Sequence, residues 1–544
     1  MLNIFLFSLC WLMLCLYKLK YCLHMLQIEG YNNEKYIDWI NNNKDKSYPQ
    51  NEKIFAGILM TISIVFMLIS EKGSGNPNYF ELPILVITAV YLVIKVKSKY
   101  ESKKPLVMTK RAKRLIFISM LLVLIDYAIL VEIVYLAAGN ISRYFPLWAG
   151  ILAVMYLLSS YYMLGANYIS IPIEKRINKK YYDSASEKIR NMKNLTSVGI
   201  TGSYGKTSTK FAMSAILKEK YKVLNTPESY NTPMGISKII NDELTDEYNI
   251  FIAELGATKT GDIDEVAMLT NPKIGVITSI GPCHLETFKS IDNIMRTKYE
   301  LIERLPDDGT AIFNYDNEYV KKLADKTFKE KLLYGIKNTR DTQVYAADIV
   351  AGNTGSRFKL CIKGAGEIVC ETKLLGEHNI SNILAGAAVA NVLGLSLKEI
   401  AMGISKIESV EHRLQLIDPG TGVIVIDDAF NSNPEGAKAA LDVLASFNDK
   451  RKIIVTPGMI ELGELEEKEN EKFGENIANV CDIAILVGKN RTMPIYRGLK
   501  TRQFNENSLY VVSSLKEASE VLKTLTRVND VVLFENDLPD TYNE

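Results

Sequence analysis

The hydrophobic pattern divides the chain into an apolar N-terminal block and a longer part in which short apolar runs alternate with polar segments. A helix that crosses a bilayer needs about 20 apolar residues, with about 17 as the lower limit. Because a soluble domain rarely holds several such segments in one block, we predict a membrane domain over residues 1–172 with about five transmembrane helices. The predicted spans are Leu2–Tyr17, Ile54–Ser70, Leu82–Ile94, Leu115–Ala138 and Phe145–Leu164.

The distribution of basic residues predicts how these helices are oriented, because cytoplasmic loops are enriched in lysine and arginine. The segment from Lys95 to Arg114 is strongly basic, and the region from Lys18 to Lys53 contains further lysines. Both should be cytoplasmic. With five spans, the N-terminus lies outside and everything after Leu164 lies in the cytoplasm. We therefore expect a multi-pass protein of the cell membrane with cytoplasmic catalytic domains.

Two of the predicted spans have features that membrane helices usually avoid. The third is short and must either include Tyr79–Glu81 or let the Lys95 ammonium reach the headgroups. The fourth contains Asp126 and Glu132, and a carboxylate at mid-membrane costs about 2.5–3.5 kcal/mol on insertion scales. A site for a lipid-linked ligand and a role in helix packing are equally compatible with these carboxylates.

Beyond the block, short apolar runs alternate with helical patterns, which is typical of an α/β fold with a mainly parallel sheet. We predict a central P-loop ATPase domain over residues 173–407 and a smaller Rossmann-like α/β domain over residues 408–544. Strands of the smaller domain are predicted over Gly422–Ile426, Lys452–Thr456, Ile483–Val487 and Val531–Phe534.

Composition excludes several classes of function. The formal net charge is +1, so the charge balance gives no indication of nucleic-acid binding. Seven cysteines are present, and none forms a CxxC pair. The cysteines therefore suggest neither a zinc site nor a disulfide framework, and they fit a reducing compartment.

A glycine-rich turn carries the clearest chemical signal. The apolar run Ser197–Thr201 predicts a strand, Lys210–Lys220 has helical spacing, and a turn with two glycines separates them. Backbone N–H groups of such a turn can surround phosphates at the start of a helix. Within it, Lys206 can reach the β- and γ-phosphates of ATP, and the Thr207 hydroxyl can hold Mg²⁺. The general P-loop pattern is not met literally, because Ile200 occupies its first glycine position.

At this turn the sequence resembles the Mur ligase family, whose shorter loop T-G-[ST]-x-G-K-[ST] matches Thr201–Thr207. Two later motifs, Asp427–Pro434 and Pro457–Gly463, resemble the branch that adds D-alanyl-D-alanine. The resemblance extends from about Val198 to Leu533. The other matching motifs are Glu254–Ala257, Gly261–Ile263, Ile274–Glu286, Thr297–Glu300, Asn314–Asp316, Gly376–Asn379 and Arg413.

The resemblance implies a ligase that activates a carboxylate as an acyl phosphate with ATP and joins it to an amine. Glu254 follows the β-like run Asn249–Ala253, where a strand-end carboxylate beside a phosphate loop suits Mg²⁺. His284 follows another apolar run and, by resemblance, helps to bind a second Mg²⁺. Lys298 alone would be a surface lysine of a helix, but the matching family lysine is carbamylated. The implied catalytic residues are Lys206, Glu254, His284 and Lys298, and the implied metal-binding residues are Thr207, Glu254, His284 and Lys298.

The resemblance also implies contacts to the nucleotide and to the substrates. The expected nucleotide-binding residues are Gly202, Ser203, Tyr204, Gly205, Lys206, Thr207, Ser208, Asn314, Asp316, Arg413 and Asp428. The expected substrate-binding residues are Asn231, Thr232, Pro233, His378, Asn379, Asn431, Asn433 and Pro434. Simpler structural roles remain open for some of them. Asn231–Pro233 could form only a turn, and His378 and Asn379 could cap a helix.

The sequence departs from the family at two substrate-binding parts. Membrane helices replace the soluble domain that binds the UDP-sugar, and Phe534–Asp540 stands where the family has Lys-Gly-Ser. The leading hypothesis is a membrane-bound ligase that adds D-alanyl-D-alanine, another dipeptide or an amino acid to a muramoyl-peptide-like acid, with membrane lipid as a further partner. The alternatives are a membrane ligase of the polyglutamate type and a non-catalytic membrane scaffold.

Overall fold

A computed structural model describes residues 2–71, 78–98, 105–138, 144–228, 230–430 and 432–537. The chain divides into two compact units, residues 1–178 and residues 179–544. The first unit is helical. The second contains two sheets with helices packed against them, as the α/β prediction requires.

The helices of the first unit include four that are long and apolar enough to cross a membrane: Leu2–Ile28, Gln50–Ile69, Tyr79–Lys97 and Lys110–Leu136. A further pair passes the same criteria together but bends by 59° at Leu158, so the predicted fifth span is two helices. The helices are α1 (Leu2–Ile28), α2 (Asn33–Asn42), α3 (Lys44–Ser47), α4 (Gln50–Glu71), α5 (Asn78–Lys97), α6 (Lys110–Ala138), α7 (Phe145–Leu157) and α8 (Ser159–Asn191).

A buried group of charges joins three helices of this unit, α1, α4 and α5. The Lys18 ammonium pairs with Glu52 at 2.5 Å, and Lys95 pairs with the other oxygen of Glu52 at 2.7 Å. Lys18 also donates to the Leu157 carbonyl at 3.4 Å, where a cation is favourable because α7 ends there. The helix α5 includes Tyr79–Glu81, so it reaches the length of a span without Lys95 extending outward.

The two carboxylates of the fourth span lie on the outer surface of the unit and not inside it. Asp126 accepts a hydrogen bond from the Tyr162 hydroxyl at 2.7 Å, although the residue is exposed. Glu132 is also exposed. Within the described part of the chain, a contact supports the helix-packing explanation at Asp126, and no contact supports it at Glu132.

The larger sheet of the second unit has nine strands in the order β2-β3-β1-β4-β5-β6-β7-β8-β9. Its neighbours pair in parallel as far as β7, and β8 and β9 add an antiparallel extension. Its elements are β1 (Thr196–Thr201), α9 (Lys206–Leu217), β2 (Val223–Asn225), α10 (Pro233–Asp242), β3 (Ile250–Glu254), α11 (Asp262–Thr270), β4 (Ile274–Ile277), α12 (Leu285–Phe288), α13 (Ile291–Glu303), β5 (Thr310–Asn314), α14 (Glu318–Lys326), β6 (Lys331–Gly335), β7 (Val344–Gly352), β8 (Gly355–Ile362), β9 (Gly366–Thr372), α15 (Glu377–Val392) and α16 (Leu397–Ser405).

The smaller sheet has six strands in the order β10-β11-β15-β12-β13-β14, and the edge strand β10 alone runs antiparallel to its neighbour. Each of the four strands predicted for this domain is present within two residues of its expected ends. The elements are β10 (Gln415–Ile417), β11 (Ile424–Asp428), α17 (Pro434–Ala445), β12 (Arg451–Thr456), α18 (Glu466–Val480), β13 (Ile483–Val487), α19 (Met493–Thr501), β14 (Leu509–Val512), α20 (Leu515–Leu525) and β15 (Asp530–Glu535).

The centre of the larger sheet is buried on both faces. The strands β1, β3 and β4 are almost entirely buried, because helices cover both sides of a parallel sheet and its strands therefore read as continuous apolar runs. Polar chemistry is consequently possible only beyond the strand ends. In such sheets the carboxyl ends of neighbouring strands form the ligand-binding edge.

Candidate active site

The glycine-rich turn connects the carboxyl end of β1 to α9, as the sequence predicts. The helix begins at Lys206, four residues before the start that helical spacing indicated, because the turn leads directly into it. Gly205 precedes the helix with a φ of 78°, a conformation that favours glycine. A Cβ at this position would lie 2.6 Å from the Asn382 side-chain oxygen of α15.

The segment that follows β4 holds the turn in place. The Ser203 hydroxyl donates to the Gly281 carbonyl at 3.0 Å, and the Tyr204 hydroxyl donates to the Pro282 carbonyl at 2.6 Å. The Thr278 hydroxyl donates to the Tyr204 carbonyl at 2.6 Å. The loop is thus preorganised by its own side chains, as a phosphate-binding backbone must be.

Lys206 folds back over the turn from which it projects. Its ammonium donates to the Gly202 carbonyl at 2.8 Å and to the Ser203 carbonyl at 3.3 Å. Burial lowers the pKa of Lys206 from its ordinary value, and the nearby Glu254 opposes that change. These two carbonyls hold the lysine where a phosphate bound in the turn would meet it.

Glu254 ends β3 beside the turn and is fixed by three side chains. One carboxylate oxygen accepts from the Thr207 hydroxyl at 3.0 Å and from the Lys210 ammonium at 3.1 Å. The other accepts from the Asn231 amide at 3.3 Å. Although burial would raise the pKa of Glu254, these donors and Lys206 lower it overall, so the carboxylate is ionised.

A cavity of about 280 Å³ lies next to the turn, and we call it the lysine cavity. It brings together three residues that the sequence predicts to be catalytic or metal-binding with the loop that it predicts to contact substrate. The predicted site residues that line it are Gly202, Ser203, Lys206, Asn231, Thr232, Pro233, His284 and Lys298.

Lys298 projects into this cavity from α13 and is not a surface lysine. The residue is 2% exposed, and within the described part of the chain its ammonium has neither a hydrogen bond nor an ion pair. Burial, followed by repulsion from Lys206, lowers the pKa of Lys298 to about 7. A substantial fraction of this amine is therefore neutral near neutral pH, which is the form that can react with carbon dioxide.

His284 contacts the C-terminal part of the unit. Its Nδ1 lies 2.6 Å from a carboxylate oxygen of Glu461, and both side chains are about two-fifths exposed. Both residues have positive φ, 47° at His284 and 64° at Glu461. The loop after β12, which carries Glu461, thus reaches the lysine cavity.

The side chains near the turn suit Mg²⁺ through their oxygen atoms. The described residues contain no cluster of three histidine, cysteine or acidic side chains. The hard oxygens near the turn are the Thr207 hydroxyl and the Glu254 carboxylate, and phosphate oxygens of a nucleotide would complete such a site. The Lys298 amine suits Mg²⁺ poorly, whereas a carbamate on it would present two oxygens.

A second cavity, of about 210 Å³, lies on the other side of the turn, and we call it the nucleotide cavity. Residues from β5, α15, β11 and α17 line it, so the central and C-terminal parts of the unit both contribute. The predicted site residues at this cavity are Tyr204, Gly205, Ser208, Asn314, His378, Asn379, Arg413, Asp428 and Asn433.

Asp316 is also predicted to contact the nucleotide, but it does not line this cavity. Its carboxylate accepts backbone N–H groups of Lys337 and Asn338, each at 3.0 Å, and so fixes the turn after β6. The Asn314 amide, by contrast, lies at the cavity and donates to the Ser381 hydroxyl at 3.4 Å. Of this pair, only Asn314 lines the cavity.

The charged groups from the C-terminal part are held by neighbours. The Arg413 guanidinium stacks over the Phe430 ring at 4.1 Å. Asp428 accepts the Leu414 N–H at 3.1 Å, and burial raises the pKa of Asp428 to about 6. Burial lowers the pKa of His378 to about 4, so this imidazole is neutral at physiological pH.

Helix capping explains some of the predicted substrate residues and not others. Gly376, and neither His378 nor Asn379, precedes α15 as its N-cap, and no side chain caps that helix. Thr232 and Asn433 do cap α10 and α17, and Pro233 and Pro434 occupy their first turns. The predicted residue Asn431 lies outside the described residues.

Three residues at the site were not predicted from the sequence: Lys210, Asn382 and Glu461. Lys210 lies one helical turn after Lys206 on the same face of α9, and that spacing was the available signal. Asn382 lies one turn beyond the Gly376–Asn379 motif, and its side-chain oxygen accepts from the Thr209 hydroxyl at 3.1 Å. Glu461 lies in the matching motif Pro457–Gly463, but the resemblance gave this residue no role.

Comparison with known proteins gives consistent similarities over the second unit. Residues 200–390 match the Mur ligase middle domain, and residues 412–535 match the Mur ligase, glutamate ligase domain. The UDP-N-acetylmuramoyl-tripeptide–D-alanyl-D-alanine ligase of Buchnera aphidicola is 33% identical over 292 residues, which are 54% of this chain and 62% of that relative. The Bacillus subtilis ligase of the same name is 30% identical over 339 residues, 62% of this chain and 72% of the relative.

A solved structure shows the same similarity. The crystal structure of MurF from Acinetobacter baumannii superimposes with a TM-score of 0.59 and 25% identity, covering 66% of this chain and 77% of that one. The chain therefore spans between three-fifths and four-fifths of the length of these proteins.

Proposed function

Because the chain belongs to the Mur ligase family, we propose that it is an ATP-dependent ligase that joins a muramoyl-peptide carboxylate to the amine of D-alanyl-D-alanine or a similar acceptor. The observation that carries the proposal is the convergence of the glycine-rich turn, Lys206 and Lys298 on one cavity, with the Glu254 carboxylate held beside the turn by Thr207. A carboxylate cannot be joined to an amine in water without activation, and transfer of the ATP γ-phosphoryl group supplies a leaving group.

The nucleotide binds between the turn and the nucleotide cavity. Backbone N–H groups of the turn and the N-terminus of α9 receive the phosphates, while the Lys206 ammonium follows the transferred γ-phosphoryl group. Arg413 approaches from the opposite side and suits bidentate contact to phosphate. Because Arg413 and Asp428 belong to the C-terminal part, movement of that part onto the nucleotide would complete the site.

Mg²⁺, the metal expected at such a loop, would be held by Thr207 and Glu254, and it would neutralise charge on the transferred phosphoryl group. The Glu254 carboxylate is ionised and oriented before any metal arrives. His284 and a carbamylated Lys298 are proposed to support a second ion in the lysine cavity.

The acid substrate is proposed to enter the lysine cavity. Its carboxylate would lie between Lys206 and Lys298, beside the Asn231–Pro233 loop. The carboxylate oxygen attacks the γ-phosphorus, ADP leaves, and the acyl phosphate forms. The amine then attacks the acyl carbon, inorganic phosphate leaves, and the amine loses a proton.

A phosphate-release measurement tests this proposal. Full-length protein with ATP and Mg²⁺ should release phosphate only when both an acid and an amine are present, because the acyl phosphate stays shielded until the amine arrives. A muramoyl tripeptide and D-alanyl-D-alanine are the first pair to test, and an acid with glutamate as the amine tests the polyglutamate alternative. Absence of acceptor-dependent release with every pair would favour the scaffold alternative.

We infer that the N-terminal helices anchor the catalytic unit at the cytoplasmic face of the cell membrane. The four or five apolar helices and the basic segments beside them support this orientation. The acid substrate is accordingly proposed to be presented at the membrane surface, on a lipid carrier, with a soluble UDP-linked acid as the alternative.

The orientation of the catalytic unit can be tested with a tag. A tag after Glu544 should resist externally added protease in intact cells and be cleaved after permeabilisation. Cleavage in intact cells would overturn the orientation.

A further inference from the structure

Lys210 is a buried cation whose position the reaction described above does not require. Its side chain is 0% exposed, and it lies on α9 one turn beyond Lys206. A buried ammonium is costly unless it is paired and hydrogen-bonded. Its ammonium meets that demand by an ion pair with Glu254 at 3.1 Å and a hydrogen bond to the Glu228 carbonyl.

The ion pair acts on the carboxylate that is proposed to support Mg²⁺. Lys210 and Thr207 approach the same oxygen of Glu254, and Asn231 approaches the other. Among the described residues, Lys210 is the one that forms an ion pair with Glu254. The carboxylate is therefore held at both oxygens and has a single charged neighbour within salt-bridge distance.

The second contact of Lys210 reaches the loop that carries Asn231. Glu228 has a φ of 38°, which is uncommon for a residue other than glycine and requires support from its surroundings. The hydrogen bond from Lys210 to its carbonyl supplies such support. Lys210 therefore links the Glu254 carboxylate to the segment whose Asn231 amide holds the same carboxylate from the other side.

We propose that Lys210 is a positioning residue that holds the Glu254 carboxylate in the orientation needed for Mg²⁺, and that it thereby couples the substrate loop to the metal site. This proposal rests on the proposed function, because it takes Glu254 as a support for the metal. One alternative is that the Lys210 ammonium repels Mg²⁺ because it lies so near the site. In that case its removal would strengthen metal binding. A second alternative is that the pair only stabilises the fold.

Nucleotide binding without turnover separates these outcomes. Calorimetry on full-length protein gives the affinity for ADP with Mg²⁺ and with EDTA. The ratio of these two affinities is the gain in ADP affinity due to the metal. Lys210→Met should reduce this gain at least about tenfold, as loss of a hydrogen bond to a charged group would. ADP affinity in EDTA should stay within about twofold. Lys218→Met, at the exposed end of the same helix, is the matched control and should keep the gain.

A double-mutant cycle then asks whether Lys210 acts through Glu254. In a Glu254→Gln background, Lys210→Met should lower the remaining gain by less than about twofold, because interacting residues are non-additive. An unchanged or increased gain in Lys210→Met, or additive losses in the cycle, would overturn the proposal. If Lys210→Met does not fold, Lys210→Gln, which keeps two N–H donors, is measured in the same way. A wild-type protein without any metal gain would instead refute the proposed nucleotide site.

Discussion

Lys206→Ala should reduce ligation by about 10³-fold while the protein folds normally, as loss of a preorganised charge at a developing negative centre does. Among the described residues, the side chain donates to the Gly202 and Ser203 carbonyls of its own turn. The turn itself is held independently by Ser203, Tyr204 and Thr278. Removing the ammonium therefore removes the charge that is proposed to follow the γ-phosphoryl group and leaves the loop backbone in place.

The measurement is the rate of acid- and amine-dependent phosphate release by each variant in the same lipid. Lys222→Ala removes an exposed lysine whose ion pair with Glu247 lies at the surface, and it should behave as wild type. Thermal unfolding of Lys206→Ala should match the wild type, since its buried contacts are few. A folded Lys206→Ala protein with wild-type activity would contradict the assignment of the turn to phosphate binding.

Lys298→Ala should be nearly inactive, and short carboxylates such as acetate or formate should partly restore its activity. The reason is that a carbamate on Lys298 would present two oxygens inside the lysine cavity. Without the side chain, a small carboxylate can occupy the vacated space. We expect a loss of about 10²–10³-fold, similar to that of an electrostatic group at a reacting centre.

The rescue distinguishes a carbamate from a simple ammonium. Short amines should restore activity if Lys298 acts as a cation, and short carboxylates should do so if it acts as a carbamate. Lys326→Ala, at the exposed end of α14, should keep full activity and show no response to acetate. Full activity of Lys298→Ala without any addition would show that this lysine is dispensable, and the carbamate proposal would fail.

The parts of the fold that the sequence predicted well are those in which local pattern and tertiary burial coincide. The strands β1, β3 and β4 are short apolar runs in sequence and are buried on both faces in the structure. The four strands predicted for the smaller sheet follow the same logic. The break at Leu158 was not predicted, because the apolar stretches on either side of Ser159 and Ser160 together have the length of one span. Lys18, which donates to the Leu157 carbonyl, is distant in the chain.

The candidate site was predictable where a motif fixes the backbone, and less so where distant residues meet. The turn from Gly202 to Thr207 has the geometry that its glycines require. Lys298 taken alone reads as a surface lysine and the motifs assign no role to Lys210, yet the fold buries both side chains. Asp316 belongs to a matching motif, yet it uses its carboxylate on backbone N–H groups of the turn after β6.

The mass of the reaction product tests the central claim most directly. Full-length protein in lipid is incubated with ATP, Mg²⁺, D-alanyl-D-alanine and a muramoyl tripeptide, supplied either UDP-linked or lipid-linked. We expect a product whose mass equals the sum of acid and dipeptide less one water, with one ADP and one phosphate formed for each bond. ATP consumption without any such condensed product, with these acids and with other amines, would contradict the account.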